Sequence, residues 1–271
     1  MLLAAAAAQT CTLPVNLIAK SKTPGAGVDA SEILVAKPAD ARVVSLVAAS
    51  PARVLLMIDA SGSMNYGHRW PAARDEVRAL LAAAPAGVEV GLAAFNDEVR
   101  FVTGLAPPPD LMAPVDREFA RRPRGGSAIY DAIAAALPNR GSSLLRAGDA
   151  IVVLSDGDDN ASRFTLQQIV TLVQRSGLRV FLLGNPDNPR AESAAQRIAD
   201  SAGGAMRNPT KPSKDAQWLW DLLAHQYMLT IGYAGAAGAG LELHAAPSVH
   251  LGELLYARKL AHCAPAPPSP P

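Results

Sequence analysis

The feature that most constrains the fold is an alternation of short, wholly apolar runs with longer segments of helical periodicity. Residues 54–58, 151–154 and 180–183 are continuous apolar runs, which is the pattern of strands buried on both faces of a parallel sheet. The predicted helices cover residues 72–84, 111–121, 128–137, 166–176, 191–202 and 216–227. Strands that alternate with helices predict an α/β fold, in which helices cover both faces of a mostly parallel sheet.

Local signals fix some element boundaries. Thr165 is a plausible N-cap and Gly177 a C-cap glycine for the helix predicted over 166–176. Residues 88–95 and 99–102 are β-rich and are separated by the turn-like tripeptide at 96–98. Two strands joined by so short a turn form a hairpin, so we expect one antiparallel strand at the edge of the sheet.

The sequence pattern changes on both sides of the segment of alternating strands and helices. Residues 11–50 combine turn residues with β-type runs and predict a small β-rich N-terminal flank around an α/β domain at 51–235. Residues 228–233 and 241–244, joined by a Gly- and Ala-rich turn, predict a closing hairpin, which continues into a C-terminal flank at 236–263. The tail at 264–271 is rich in proline.

Composition excludes several functional classes. The chain has 25 Lys and Arg against 24 Asp and Glu, a net charge of +1, and 49% hydrophobic residues. Such a chain folds around a core but generates no broad basic field, so we expect neither nucleic acid nor an anionic membrane as its partner. No apolar run reaches the roughly 18 residues of a transmembrane helix.

The N-terminus indicates export. Met1, Leu2, Leu3 and the alanines at 4–8 resemble the end of a signal peptide, so residues 1–10 are interpreted as a signal-peptide remnant and the protein as secreted or periplasmic. An oxidising compartment would permit a disulfide between Cys11 and Cys263, which the sequence leaves open. Their spacing fits neither a zinc site nor a redox pair.

Oxygen-bearing side chains follow the first buried strand. Asp59, Ser61 and Ser63 occupy alternate positions, and alternate side chains of an extended loop project to the same side. Gly62 between them lets the backbone approach closely. Ligands of open α/β sheets bind beyond the carboxyl ends of the strands, so these three side chains lie where a site is expected.

Two further loops add oxygen ligands at the same edge. Asp156 follows the strand at 151–154, and Ser127 follows Gly125 and Gly126 at the start of a helix. The complete set of predicted metal ligands is Asp59, Ser61, Ser63, Ser127 and Asp156. Magnesium prefers six oxygen ligands, some of them water, so this set leaves room for an outside ligand. With only two carboxylates nearby, the metal would attract an Asp or Glu carboxylate from a partner protein.

These three motifs, in this order, resemble the metal-ion-dependent adhesion site of the von Willebrand factor type A domain family. The resemblance covers residues 51–235 and rests on Asp59-x-Ser61-x-Ser63, on Gly125-Gly126-Ser127 and on Asp156-Gly157. It implies a doubly wound, Rossmann-like fold, magnesium or manganese, with calcium as a further option, at its upper edge, and protein binding through that metal. The loops and flanks look like those of bacterial secreted members.

One position departs from the family pattern, which usually has threonine where this chain has Ser127. Serine keeps the oxygen but lacks the methyl group that restricts χ1, so we expect coordination to survive with less pre-organisation, and the effect on metal affinity stays open.

Other titratable residues are given ordinary roles. Asp158 and Asp159 are interpreted as solvated loop acids, and Asp131 as a structural residue in the first turn of a helix. The five histidines lack metalloprotease spacing, so a zinc hydrolase is unsupported.

The leading hypothesis is a non-enzymatic, metal-dependent protein-binding module for adhesion or assembly. The first alternative is a magnesium-dependent phosphoryl-transfer enzyme with Asp59 as nucleophile, but the general acid expected two positions later is replaced by Ser61. The second alternative is a structural module in which the metal is incidental.

Overall fold

A computed structural model describes residues 11–22, 26–49, 53–138, 140, 143–186, 188–233, 238–247 and 251–260. Its strands are β1 (Cys11–Ser21), β2 (Ile33–Lys37), β3 (Arg42–Ala48), β4 (Arg53–Asp59), β5 (Glu89–Phe95), β6 (Val99–Phe101), β7 (Ala150–Leu154), β8 (Arg179–Leu183), β9 (Met206–Arg207), β10 (Gln226–Tyr233), β11 (Glu242–Ala245) and β12 (Leu251–Tyr256). Its helices are α1 (Arg69–Ala82), α2 (Met112–Phe119), α3 (Ile129–Ala136), α4 (Leu166–Ser176), α5 (Pro189–Ser201) and α6 (Pro212–Ala224).

The centre of the molecule is a six-stranded sheet in the order β6-β5-β4-β7-β8-β9. All its neighbouring strands are parallel except β6, which pairs antiparallel with β5 at one edge. The predicted α/β fold and mostly parallel sheet are confirmed. The short strand β9 was not predicted, since two residues are too few to show a period.

Helices pack on both faces of this sheet. One core joins the sheet to α1, α2 and α6 through residues such as Leu80, Val115 and Leu219. The other core joins it to α3, α4 and α5 through residues such as Ile133 and Ile169. The wholly apolar strands are explained by this arrangement, because successive side chains of β4 and β7 enter opposite cores.

Helix α4 has the bounds that its end signals predicted. Thr165 accepts a hydrogen bond from the Gln168 amide at 3.3 Å and forms a capping box with it. Gly177 ends the helix with φ of 69°, a left-handed conformation that only glycine adopts without strain.

The predicted end of α6 is wrong. The helix stops at Ala224, and Gln226 already begins β10. Residues 225–227 are His, Gln and Tyr, which carry neither a helix stop signal nor a clear strand pattern. Pairing with two other strands decides in favour of a strand.

The flanks build a second set of sheets, and the predicted closing hairpin does not form. Strand β10 pairs with β1 and β3 in a four-stranded antiparallel sheet of order β12-β1-β10-β3, whereas β11 pairs with β2. The reason is apolar matching across a long sequence separation: Val15 of β1 lies opposite Leu229 of β10, and both belong to one core.

Several predictions concern residues outside the described parts of the chain, including the signal-peptide remnant at 1–10, the tail at 264–271 and Cys263 of the candidate disulfide. Within the described parts, no helix combines the length and apolar character needed to cross a membrane.

A buried arginine connects the two sets of sheets. Arg179, at the start of β8, is fully buried. Its guanidinium donates to the carbonyl oxygens of Leu17 and Tyr227, both at 3.2 Å, and so joins the parallel sheet to β1 and β10. No carboxylate among the described residues pairs with it, and burial lowers its pKa to about 9.

We expect Arg179→Ala to lower the free energy of unfolding by about 3 kcal/mol, because it leaves a cavity and removes donors from buried carbonyl groups. Arg175→Ala is the matched control, since Arg175 is exposed at the end of α4. Urea unfolding of the two variants measures the difference. Equal stabilities would refute the role given to Arg179.

A second buried titratable side chain, Glu76, lies between α1 and α6. Glu76 is 4% exposed, and one of its carboxylate oxygens has no hydrogen-bond partner in the described structure. Burial is the main cause that raises the pKa of Glu76 to about 7; the Asp215 charge raises it further and Arg207 acts against both. Asp215 itself is held by Arg207 at 2.6 Å.

A raised acid pKa means that the folded protein holds a proton that the unfolded chain releases. The stability contributed by Glu76 is therefore present below its unfolded pKa and declines as the pH rises to about 7, by about 3 kcal/mol in total. We expect Glu76→Gln to match the parent near pH 5 and to be more stable near pH 8. Urea unfolding of both proteins in EDTA, measured from pH 5 to pH 8, tests this expectation. Free energies of unfolding that change with pH in the same way in both proteins would contradict it.

Candidate metal centre

The candidate site lies where two neighbouring parallel strands end. Strand β4 ends at Asp59 and β7 at Leu154, and Ile58 is paired with Leu154 in the sheet. The polypeptide leaves both strands at the same edge, so the loop after β4 and the loop after β7 meet there. The loop before α3 carries Ser127, whose hydroxyl donates to Asp59. In chain order, the loop after β4 is called the first loop, the loop before α3 the second and the loop after β7 the third.

Asp59 is the centre of the hydrogen-bond network. Its side chain is fully buried, one carboxylate oxygen accepts from the Ser61 amide at 2.9 Å, and the other accepts from the hydroxyls of Ser127 at 2.9 Å and Ser155 at 2.6 Å. Burial raises the pKa of the Asp59 carboxyl, and the hydrogen bonds from Ser155, Ser61 and Ser127 act in the opposite direction. A cation at this carboxylate would favour its ionised form.

The first loop brings two hydroxyls together. After Ser61 the chain enters a 3-10 turn over Gly62–Asn65, and the hydroxyl oxygens of Ser61 and Ser63 lie 3.1 Å apart. Ser61 is buried, whereas Ser63 is partly exposed. This loop is attached to the next one by the Gly62 amide, which donates to the Gly125 carbonyl at 2.9 Å.

The second loop is held by the third. The Ser127 amide donates to the side-chain oxygen of Asn160 at 2.9 Å, and the Asn160 amide donates back to the Ser127 carbonyl at 2.9 Å. Gly126 is packed so tightly that a Cβ would lie 2.9 Å or less from Asn160, Asp97 and Ala161. The backbone that carries the Ser127 hydroxyl is therefore held by contacts with neighbouring loops.

Asp156 lies in the third loop, directly after Ser155. It is 4% exposed, and one carboxylate oxygen accepts from Arg69 at 2.8 Å. The other oxygen is buried without a hydrogen-bond partner in the described structure. Asp156 makes no direct hydrogen bond to the other four predicted ligands, and it is connected to them through its neighbour Ser155.

These residues fit a hard divalent cation. The donor set is two carboxylates and three hydroxyls, all oxygen, and one buried carboxylate oxygen is unpaired. In the described ranges no group of three or more His, Cys, Asp or Glu residues is placed to hold a metal, and the candidate donor set contains only two residues of these types, Asp59 and Asp156. Asp59, Ser61, Ser63, Ser127 and Asp156 would hold the ion, which would act as a Lewis acid for an external oxygen ligand.

Sequence reasoning missed three residues that shape the site. Ser155 hydrogen-bonds Asp59, Asn160 holds Ser127, and Arg69 pairs with Asp156. A signal was available for Ser155, which directly follows the strand and precedes Asp156. No local pattern indicates that Arg69 or Asn160 would contact another loop.

The interpretation of Asp159 as a solvated acid is wrong. Its carboxylate accepts from the Tyr130 amide at 3.2 Å and from the Ser162 hydroxyl at 2.6 Å. It therefore stabilises the first turn of α3. Asp158 is exposed, and Asp131 accepts from the amides of residues 163 and 164, in keeping with the structural role predicted for it.

Comparison with known families identifies the fold. The sequence matches the family described as VWA domain containing CoxE-like protein over residues 34–218, more than half of the chain. The chain belongs to the VWA domain family. No curated protein sequence matches it.

Solved structures share the VWA fold at low sequence identity. A von Willebrand factor type A protein from Catenulispora acidiphila has a TM-score of 0.52 and 15% identity over 94% of this chain and 75% of that one. An aerotolerance-related membrane protein from Bacteroides fragilis has a TM-score of 0.51 and 17% identity over 63% and 98%. Proximal thread matrix protein 1 from the mussel byssus has a TM-score of 0.52 and 17% identity over 73% and 50%. At these identities the likeness establishes the fold alone.

The conformation of the second loop requires glycine. Gly125 has φ of 83°, and a Cβ there would collide with the Asp97 carboxylate. We expect Gly125→Ala to lower the free energy of unfolding by about 2 kcal/mol.

Gly104→Ala is the matched control, because a Cβ there meets no atom within 4 Å and the backbone has no positive φ. Its stability should stay the same or rise by less than about 1 kcal/mol. Thermal unfolding measures both variants, and equal melting temperatures would contradict the steric argument.

Proposed function

We propose that this VWA domain binds a partner protein through a divalent cation, Mg²⁺ or Mn²⁺, held by Asp59, Ser61, Ser63, Ser127 and Asp156. The observation that carries the proposal is the environment of Asp59. Its fully buried carboxylate is surrounded by hydroxyl and amide donors and pairs with no lysine or arginine among the described residues. Burying a carboxylate without a counter-charge is costly, and a bound cation would remove that cost.

Charge explains why the ion would attract a partner. Asp59 and Asp156 together offer two negative charges to a doubly charged ion, but Asp156 is also paired with Arg69. The local charge is then positive, and a carboxylate from outside completes both the coordination and the charge balance. Ser63 is the least buried hydroxyl of the set, so such a ligand would approach from its side.

We further propose that the site is a binding site rather than a catalytic one. Phosphoryl transfer through Asp59 would require a general acid close by. The residue two positions later is Ser61, whose hydroxyl contacts Ser63.

The apolar first residues of the sequence support a secreted or periplasmic location for this binding activity.

We expect Asp59→Asn to lower the affinity for Mg²⁺ and Mn²⁺ by about 100-fold or more, because it loses the negative charge and one of the two carboxylate oxygens. Ser63→Ala should lower the affinity by about tenfold, because it loses its only side-chain oxygen. Asp158→Asn is the matched control, because Asp158 is an exposed carboxylate in the loop of Asp156 and is not among the five proposed ligands. Isothermal calorimetry measures uptake and circular dichroism reports the fold. Unchanged uptake by folded Asp59→Asn would overturn the proposal.

Two further measurements separate the alternatives. Release of phosphate from a phosphate ester in magnesium, abolished by Asp59→Asn, would favour the phosphoryl-transfer enzyme. Partner capture that is undiminished in EDTA would favour a structural module with an incidental metal.

A further inference from the structure

A basic cleft adjoins the candidate metal centre. It is a cavity of about 870 Å³ that shares Ala60 and Gly62 with the first loop of the site. Its lining includes four arginines against two glutamates, and we call this cavity the arginine cleft: Arg100, Arg121, Arg122 and Arg124, with Glu98 and Glu118. The excess of positive charge is local, because the whole chain carries a net charge of only +1.

Two of the four arginines already have a partner. Glu118 has a side chain only 3% exposed, and it pairs with Arg100 at 2.5 Å and with Arg121 at 3.6 Å. Arg122 and Arg124 are exposed and form no ion pair with any residue that the structure describes. The positive charge available to a ligand therefore belongs chiefly to these two side chains.

The loop that carries Arg124 is fixed relative to the metal centre. The Arg124 amide donates to the Ala60 carbonyl at 2.8 Å, and its carbonyl accepts from the Asn96 side chain at 3.0 Å. Arg124 precedes Ser127 by three residues, so their Cα atoms are at most about 10 Å apart. An extended peptide covers that distance with two or three residues.

The lining of the cleft also includes the aromatic side chain of Trp70, which is held by two contacts with Phe119. The Trp70 ring packs against Phe119 with a centroid distance of 4.3 Å, and the Trp70 ring nitrogen donates to the Phe119 carbonyl at 3.1 Å. The Trp70 ring can pack against the methylene groups of a bound chain while the arginines contact its charges.

We propose that the arginine cleft receives an acidic stretch of the same partner segment whose carboxylate coordinates the metal. The inference rests on the proposed function and adds to it the chemistry of the partner: a metal-binding Asp or Glu with a second acidic residue two or three positions away. The concave shape and the continuity with the metal centre favour a protein segment. A flat bilayer surface does not enter a cleft, and a nucleic acid supplies no carboxylate.

Two fluorescein-labelled heptapeptides test the inference in fluorescence anisotropy with Mg²⁺ at low salt. One has the sequence Ser-Glu-Ser-Asp-Ser-Glu-Ser, and in the other both glutamates are replaced by glutamine. We expect the first peptide to bind five- to tenfold tighter, which is about what two partly exposed ion pairs supply. The double variant Arg122→Gln/Arg124→Gln should bind both peptides with the affinity of the glutamine peptide.

The matched control is Arg175→Gln/Arg190→Gln, which removes two exposed arginines away from the cleft and should leave the preference intact. Calorimetric Mg²⁺ uptake should be the same in both double variants, because neither loses a ligand oxygen.

The possible failures are distinguishable. If the cleft variant keeps the glutamate preference while binding still requires Mg²⁺, the inference is overturned and the proposed function stands. If peptide binding survives EDTA, the proposed function fails and the inference fails with it. Arginine-dependent binding of an oligothymidylate or of phosphatidylserine vesicles that is tighter than peptide binding would overturn a protein segment as the occupant.

Discussion

The burial of one carboxylate organises this end of the molecule. Asp59 is carried to the edge of the sheet by β4, whose apolar residues enter both cores, and it is fully buried there without an ion pair to any lysine or arginine among the described residues. Ser61, Ser127 and Ser155 come from the three different loops, and each contributes a hydrogen bond to it. The loops are thus held together by a group whose charge the fold itself does not neutralise.

The proposed binding mode attracts an external anion at two places, the metal centre and the arginine cleft. At the metal centre, a cation would balance Asp59 and Asp156, and Arg69 tips the balance toward attraction of an anion. In the proposed binding mode, Arg122 and Arg124 would add a second attraction beside it, which would depend on salt because both are exposed. The first attraction would be short-ranged and would set where a ligand binds, whereas the second would select among ligands by the residues that surround the binding carboxylate.

The sequence was most informative where local signals and burial agree. The apolar runs of β4, β7 and β8 predicted a parallel sheet, and Thr165 with Gly177 predicted both ends of α4. Pairing partners of the flanking strands were beyond reach, because a strand pattern does not state which strand lies beside it. The assignment of the five metal ligands remains a prediction. Asn160 and Arg69, which hold Ser127 and Asp156, could not be predicted because their contacts join segments far apart in sequence.

The position of β1 has a consequence for how the chain matures. This strand lies between β10 and β12, and its first residue, Cys11, is paired in register with Tyr233, more than 200 residues later in the sequence. Strands so distant along the polypeptide pair slowly, because the intervening segment must first be brought into a closed loop. Both partners of β1 follow α6 in the sequence, so during synthesis β1 stays unpaired until the polypeptide beyond α6 has been made. The residues of the α/β part are therefore synthesised before β1 can pair.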